Sequence, residues 1–190
     1  MKKWFSLFLL TFFVSTQVIA AASVKEGAHY KAVGPIETAT GDKIEVLEFF
    51  WYGCPHCNTF EPYLTKWKKT KPDNVVFTRV PAVFHPSWKV QARAYYALEE
   101  MGKLDQLHMK IFSAIHNKRQ KLNSMSTIAN FVAKHGVDKD AFLKHYQSFS
   151  VDGKVRKANK LVKEYQISGV PAVTVNGKYK SDGRSAGSYD

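Results

Sequence analysis

"VLEFFWYGCPHC", residues 46–57, contains the only two cysteines of this 190-residue chain, Cys54 and Cys57. Its first half is apolar and rich in residues that favour strands, which is typical of a strand covered on both faces. A glycine turn follows, and Pro55 stands where a helix begins. The stretch therefore predicts a buried strand over residues 44–51 that leads through the cysteine pair directly into a helix.

The first residues of the chain have the composition of a secretion signal. Two lysines precede an apolar run over residues 4–14, and small residues follow it. The run is shorter than the roughly 20 residues that span a bilayer, and alanines occupy the place of a stop-transfer pattern. We therefore predict a signal peptide over residues 1–22, cleaved after Ala20 or Ala22, and a mature protein that works outside the cytoplasm.

The composition is that of a folded, basic protein. Hydrophobic residues make up 45% of the chain, which argues against disorder, and 28 basic against 16 acidic residues give a net charge of +12. The lysines alternate with apolar residues at helical spacing, as in residues 154–163, so we interpret them as solvated helix faces. No nucleic-acid-binding motif accompanies them, and we expect no nucleic-acid partner.

Beyond the cysteine pair, the periodicity changes from strand to helix and back. Residues 74–84 are typical of a second strand that ends at Pro81, and residues 87–166 contain about five apolar stripes at helical spacing. Asp138 is placed to cap one of these helices. Residues 170–180 alternate apolar and polar side chains around an Asn-Gly pair, which predicts a β-hairpin.

This order of elements predicts a thioredoxin-like α/β fold with a helical block inserted before the hairpin. We divide the chain into a signal peptide at 1–22, a first part of the core at 23–86, an inserted helical domain at 87–166 and a second part of the core at 167–190. The last residues have the pattern of a helix start capped at Ser188, and we expect that a C-terminal helix is missing.

Three kinds of site contain two cysteines at this spacing: a metal half-site, a structural clip and a redox pair. A structural zinc site needs four ligands, and the seven histidines form no second ligand pair, although His56 or His85 could contribute. A disulfide across so short a loop constrains the unfolded chain very little, so it is a poor clip. We favour redox chemistry, with no metal ion and no cofactor.

The start of a helix is suited to a reactive thiolate. Unpaired main-chain N–H groups and the positive end of the helix dipole stabilise a negative sulfur at Cys54. We expect Cys54 to be the exposed sulfur that is attacked and Cys57 to be the buried resolving one. Pro55 makes the turn rigid, and His56 places an imidazole beside Cys54. Because a stabilised reduced form makes a disulfide a stronger oxidant, the pair is predicted to donate disulfides.

Glu48 interrupts the otherwise apolar strand, six residues before Cys54. A buried carboxylate is costly unless it is neutral or paired, so burial would raise the pKa of Glu48. A neutral acid at this point can exchange a proton with Cys57 during turnover. The alternative is a glutamate at a strand edge that reaches solvent.

Two segments, "VLEFFWYGCPHC" at 46–57 and "GVPAVTVNGKY" at 169–179, resemble the DsbA family of periplasmic thiol:disulfide oxidoreductases. The resemblance extends from residue 26 to the hairpin and includes the helical insertion. It implies a catalytic disulfide between Cys54 and Cys57, which is donated to reduced, newly secreted proteins through a mixed disulfide. It also implies a periplasmic protein that a DsbB-type membrane quinone oxidoreductase reoxidises. We expect a monomer.

The resemblance further assigns residues to the site. Pro171 matches a cis-proline that faces the disulfide, at the start of the predicted hairpin, and Val170 before it offers its main chain to an extended substrate peptide. Glu48 matches an acidic residue of the family. Arg79 stands where the family often has lysine, and because arginine does not lose its proton, we expect only electrostatic pairing from it.

Two other functions stay open at this point. A disulfide isomerase or reductase of the DsbC type has a related core, but it carries a separate dimerisation domain, for which the segment before the first strand is too short. A non-catalytic chaperone that binds peptides in the groove at Val170 and Pro171 would not need both sulfurs. The equilibrium redox potential and the retention of peptide binding without Cys54 separate these functions from disulfide donation.

Overall fold

The structure is a computed structural model that describes residues 24–187. The predicted signal peptide over residues 1–22 and the predicted helix start at Ser188 lie outside the described residues. Within the described part, the chain forms a five-stranded sheet and six α-helices. The elements in chain order are β1 (Lys31–Ala32), β2 (Ile44–Phe50), α1 (Pro55–Thr70), β3 (Val75–Pro81), a 3₁₀ turn (Pro86–Trp88), α2 (Lys89–Glu100), α3 (Leu104–His116), α4 (Met125–Lys134), α5 (Lys139–Tyr146), α6 (Phe149–Glu164), β4 (Ala172–Val175) and β5 (Tyr179–Asp182).

Strand β2 is an interior strand of a mixed sheet with the order β1-β5-β4-β2-β3. It pairs in parallel with β3 and antiparallel with β4, so both of its edges are hydrogen-bonded. All of its residues after Ile44 are buried, as expected for a strand covered on both faces. The thioredoxin-like α/β fold with a helical insertion is confirmed, and the buried strand ends at Phe50, one residue before the predicted end.

The predicted hairpin is formed by β4 and β5. Asn176 and Gly177 both have positive φ values, 51° and 66°, as a two-residue turn of type I′ requires. Lys178 N donates to Val175 O at 3.0 Å and closes the turn. Ile36 N donates to Gly177 O at 2.9 Å, so a hydrogen bond connects the segment that follows β1 to the turn of the hairpin.

The helices α2–α6 form a block between β3 and β4. The buried face of α2 is wider than the apolar stripe that the sequence indicates, because α2 packs against α3, α5 and α6. Gln91, Tyr95 and Tyr96 are buried in addition to the alanines and Leu98, whereas Val90 is only half-buried. Asp138 caps α5 as predicted, with its Oδ1 accepting from Ala141 N at 2.7 Å.

Between residues 24 and 187, no helix has both the length and the apolar composition that crossing a bilayer requires.

Gly177→Ala is expected to destabilise the fold more than Gly41→Ala. Both glycines have a positive φ, which costs a residue with a side chain about 1–2 kcal/mol. A Cβ at Gly177 would also collide with the carbonyl oxygen of Ile36, whereas a Cβ at Gly41 would meet open space. Overpacking adds about 1–3 kcal/mol, so the loss at Gly177 should be roughly twice that at Gly41. Urea unfolding measures both, and equal losses would contradict the contact between the turn and Ile36.

Candidate active site

The two cysteines lie at the beginning of α1. Cys54 is the N-cap residue, with an extended main chain, and its Sγ accepts a hydrogen bond from Cys57 N at 3.5 Å. Pro55 occupies the first turn, as the sequence predicts. Both cysteines are free thiols, so this is the dithiol form of the pair. A disulfide between Cys54 and Cys57 stays a prediction.

Cys54 is not the exposed sulfur that the sequence led us to expect. Only 7% of the residue is exposed, and Cys57 is fully buried. The covering group is the loop before β4, because the thiol of Cys54 donates to the carbonyl of Val170 at 3.3 Å. The reactive sulfur is therefore in contact with a loop that lies 116 residues later in the sequence.

The loop before β4 also forms the wall of a cavity beside the pair. The peptide bond between Val170 and Pro171 is cis. His56, which is exposed on the first turn of α1, also lines this cavity of about 360 Å³. The structure thus brings Cys54, His56 and the Val170–Pro171 loop together at one opening of the molecule.

The surroundings of Cys54 favour its thiolate. The pKa of Cys54 is lowered to about 6, chiefly by the hydrogen bond that the thiol of Cys57 donates to it. Burial acts in the opposite direction, while the main-chain N–H groups of Cys57 and His56 and the charge of His56 lower the pKa further. The N–H groups at the helix start thus act as the sequence suggests, but the largest contribution comes from the second cysteine.

Cys57 has the opposite chemistry. Its pKa is raised, first by burial and then by its hydrogen bond and electrostatic repulsion with Cys54. The charge of Glu48 raises it further, which places the carboxyl of Glu48 within electrostatic range of this sulfur. The pair is therefore asymmetric, with one sulfur stabilised as an anion and the other as a neutral thiol.

Glu48 is fully buried on β2, so the alternative of a solvent-reaching glutamate is wrong. Burial and the nearby charge of Glu61 raise the pKa of Glu48 to about 8, although Arg79 and Lys68 act to lower it. Arg79 Nε lies 3.0 Å from Glu48 Oε2, but its hydrogen is directed at Glu61 Oε1. Neither oxygen of Glu48 has a well-aligned hydrogen bond from a described residue. The carboxyl therefore retains its proton at neutral pH.

Arg79 is paired chiefly with Glu61, an acid that sequence reasoning missed. Its Nε and Nη2 donate to the two carboxylate oxygens of Glu61 at 3.0 and 2.7 Å. Burial alone would raise the pKa of Glu61, but a hydrogen bond from His108 and the charges around it lower the pKa overall. The expected electrostatic pairing of Arg79 with Glu48 exists, and it is the weaker of two contacts.

The sequence positions of Glu61 and His108 indicate that both side chains are buried. Glu61 follows Cys57 by four residues and precedes Leu64 by three, so the helical period places it on the buried face of α1. His108 precedes Phe112 by four residues on the buried face of α3. An ionisable residue in register with an apolar stripe is costly unless paired, and it therefore predicts a buried network.

In the part of the chain that the structure describes, no group of three or more histidine, cysteine or acidic side chains is arranged to hold a metal ion. The seven histidines are dispersed along the chain, and the ring of His85 packs against Trp88.

Known proteins that are similar to this chain in sequence and in structure belong to one family. A family model described as a DSBA-like thioredoxin domain matches residues 76–188. The thiol:disulfide interchange protein DsbA of Azotobacter vinelandii is 46% identical over 183 residues, which cover 96% of this chain and 85% of that protein. The protein of the same name from Pseudomonas aeruginosa is 45% identical over 153 residues, which cover 80% of this chain and 72% of that one.

Solved structures give the same result. The crystal structure of Pseudomonas aeruginosa DsbA superposes with a TM-score of 0.84 at 42% identity, and the match covers 87% of each chain. The oxidoreductase NmDsbA1 from N. meningitidis superposes with a TM-score of 0.76 at 31% identity, and the match covers 85% of this chain and 86% of that one.

Replacing Glu48 with glutamine should stabilise the dithiol form increasingly as the pH rises. The pKa of Glu48 is about 8 in the folded protein against an ordinary value of 4.5, so the folded state holds a proton that the unfolded state loses. The stability of the wild type therefore falls across this range, by about 1.4 kcal/mol per pH unit from this group alone. Urea unfolding of both proteins between pH 5 and 8 measures the widening difference.

Glu61→Gln is the matched control, with the opposite sign. The pKa of Glu61 is lowered in the folded state, so its carboxylate contributes stability that is present at neutral pH and lost as the pH falls. The variant should be less stable than the wild type at pH 7, and the deficit should shrink in acid. A Glu48→Gln difference that does not change with pH would contradict the raised pKa of Glu48.

Proposed function

The chain belongs to the DsbA family, and we propose that it oxidises reduced proteins through a disulfide between Cys54 and Cys57. The protein is a thiol:disulfide oxidoreductase that donates disulfides. The observation that supports this pair as the donor is its asymmetry, with the pKa of Cys54 lowered to about 6 and that of Cys57 raised. Such a Cys54 is mostly thiolate at neutral pH, which stabilises the reduced pair relative to its disulfide.

Disulfide transfer takes place in two exchange steps. A substrate thiolate attacks Cys54 Sγ, the bond between Cys54 and Cys57 breaks, and Cys57 leaves with the electron pair. The second substrate thiolate then attacks the substrate sulfur of the mixed disulfide, and Cys54 leaves as a thiolate. The substrate loses two electrons and the enzyme gains them. Cys54 is thus the attacked sulfur and Cys57 is the resolving one.

Glu48 assists the departure of Cys57 in this scheme. Because burial raises the pKa of Cys57, its thiolate is a poor leaving group until it receives a proton. Glu48 holds a proton at neutral pH, since its pKa is about 8, and no aligned hydrogen bond from a described residue ties up its oxygens. We assign to Glu48 the proton that Cys57 takes up in the first step and returns when the pair is reoxidised.

The Val170–Pro171 loop is the substrate-binding element of this proposal. The carbonyl of Val170 lies 3.3 Å from Cys54 Sγ, at the wall of the cavity that His56 also lines. Main-chain pairing with an extended peptide at this position would bring a substrate cysteine to Cys54. Recognition through the main chain depends little on sequence, which suits an enzyme that acts on many secreted proteins.

The reaction requires an oxidising compartment and an electron acceptor. We infer that the protein acts in the periplasm after removal of its signal peptide, because disulfides persist there. Each turnover leaves two electrons on the pair, and we assign their removal to a DsbB-type membrane quinone oxidoreductase. We further propose that the enzyme acts as a monomer on reduced, unfolded proteins.

The two alternative functions agree less well with these observations. A chaperone that only binds peptides has no use for two sulfurs whose pKa values are shifted in opposite directions. An isomerase of the DsbC type works with a pair that stays reduced, and the relatives in Azotobacter vinelandii and Pseudomonas aeruginosa are named DsbA. Disulfide donation therefore remains the function that the site supports best.

Cys54→Ser should abolish disulfide transfer to a reduced, unfolded secreted protein, because the attacked sulfur is absent. Cys57→Ser should also donate no disulfide, because a single sulfur cannot form the pair. When its Cys54 thiolate attacks a disulfide-bonded peptide, a mixed disulfide should form and persist, since the peptide thiolate leaves and no Cys57 thiol is present to release Cys54. Non-reducing gels measure both outcomes, and equilibration with glutathione gives the potential of the wild type. A potential as low as that of thioredoxin, about −270 mV, would overturn disulfide donation.

His56→Ala should make the pair less oxidising. The main chain of residue 56 remains, but the charge that helps to lower the pKa of Cys54 is removed. The pKa of Cys54 should rise in a titration of thiolate absorbance, and the potential should fall by up to about 30 mV for each pKa unit. His135→Ala, a substitution at the end of α4, is the control and should leave both quantities at their wild-type values.

A further inference from the structure

Helix α3 contacts Tyr52, which lies in the turn just before the cysteine pair. His108, Phe112 and His116 follow one another at intervals of four and all contact Tyr52, two residues before Cys54. His108 Nδ1 lies 2.8 Å from the hydroxyl of Tyr52, the ring of Phe112 lies 5.0 Å from the ring of Tyr52, and His116 Nε2 donates to its carbonyl at 2.8 Å. The inserted helices therefore contact the reactive turn directly.

The hydrogen bonds of His108 define which of its nitrogens carries the hydrogen. Its Nε2 lies 2.8 Å from Glu61 Oε1, and a carboxylate oxygen can only accept. The hydrogen is therefore on Nε2, and Nδ1 accepts from the hydroxyl of Tyr52, whose raised pKa keeps it protonated. Burial lowers the pKa of His108, in agreement with a neutral ring that satisfies both partners.

Glu61 consequently accepts three hydrogen bonds. Two come from Arg79 and one from His108, and all three atoms on the donor side are buried or nearly so. Hydrogen bonds from charged or polarised donors to a carboxylate are among the strong ones in proteins. Glu61 is thus the better stabilised of the two acids that face Arg79.

Glu48 competes with Glu61 for the same guanidinium. The parallel register of β2 and β3 places Glu48 opposite Arg79, and the two groups approach to 3.0 Å without an aligned hydrogen bond. One positive charge between two buried acids cannot stabilise both as anions, so one acid keeps a proton. Glu61 differs from Glu48 in accepting both aligned hydrogen bonds of Arg79 and a third one from His108.

We propose that His108 is a positioning residue: its bond to Glu61 commits Arg79 to that acid and leaves Glu48 as the one that holds a proton beside Cys57. The proposal rests on the role of Glu48 in disulfide exchange that is proposed above. His108 itself touches neither sulfur, and it acts through Glu61 and Arg79. The inserted helical block thereby sets the protonation state of an acid that belongs to the core.

The ionisable groups around Glu48 come from each element packed against it. Lys68 on α1 acts at longer range to lower the pKa of Glu48, and it is unchanged in the variants described next. The groups that interact with Glu48 itself include Cys57, Glu61 and Lys68 from α1, Arg79 from β3 and Tyr52 from the turn before α1. Tyr95 from α2 acts on Arg79, and His108 from α3 acts on Glu61 and Arg79.

The test is the titration of the Glu48 carboxyl in three variants of the full protein in its dithiol form. His108→Leu removes the donor to Glu61, His108→Gln keeps an N–H donor, and His116→Leu removes a histidine of the same helix that contacts Tyr52 but not Glu61. Infrared difference spectroscopy follows the carboxyl from pH 5 to 10, and the wild type with and without Glu48→Gln identifies its band.

In His108→Leu, the acid dissociation constant of Glu48 should rise about tenfold. The carboxylate of Glu61 loses the hydrogen bond from His108, and Arg79 becomes available to stabilise the carboxylate of Glu48. His108→Gln should restore the wild-type value, and His116→Leu should not change it. An unchanged midpoint in a folded His108→Leu protein, or an equal shift in His116→Leu, would overturn the assignment.

A measurement on the wild type keeps the proposal testable if His108→Leu does not fold. Nitrogen NMR of the histidine rings should show His108 neutral with its hydrogen on Nε2, and a charged ring or the other tautomer would refute the proposal. The results of the titrations and of the NMR measurement do not depend on the proposed function. If the titrations behave as expected but the protein transfers no disulfide to a reduced substrate, the network is correct and the function is not.

Discussion

One guanidinium lies between two buried carboxyl groups in this protein, and it can stabilise only one of them as an anion. The register of β2 and β3 brings Glu48 to Arg79, and the helical period of α1 brings Glu61 to the same group. Glu61 takes both aligned hydrogen bonds, so Glu48 remains a neutral acid inside the sheet. This arrangement bears on the cysteine pair, because an anionic Glu48 would raise the pKa of Cys57 further and could not give that sulfur a proton.

The parts of the fold that depend on local sequence could be predicted. The buried strand, the helix start at the cysteine pair and the hairpin turn all follow from periodicity and from the preferences of proline, asparagine and glycine. Glu48 was identified because a charged residue in an apolar strand requires an explanation. The burial of Cys54 was missed because the carbonyl that covers it belongs to Val170, 116 residues later in the chain.

The network around Glu61 was missed for the same reason. Glu61 and His108 are 47 residues apart, and Tyr52 and His108 are 56 apart, so only the packing of α3 against α1 brings them together. A helical period shows that each side chain faces inward, but it does not show which partner it meets. The sequence therefore predicts the site residues of the thioredoxin-like core. It does not predict the contacts through which the inserted helices act on that core.

The two histidines of α3 hold different parts of Tyr52, and this division makes two properties separately adjustable. His116 fastens the backbone carbonyl and so bears on the orientation of the turn, whereas His108 meets the hydroxyl and continues to the acids. A substitution at one end of α3 can alter how the turn presents its sulfur without disturbing where the proton resides. Variation within this single helix therefore offers evolution, or an engineer, two independent means of adapting the enzyme.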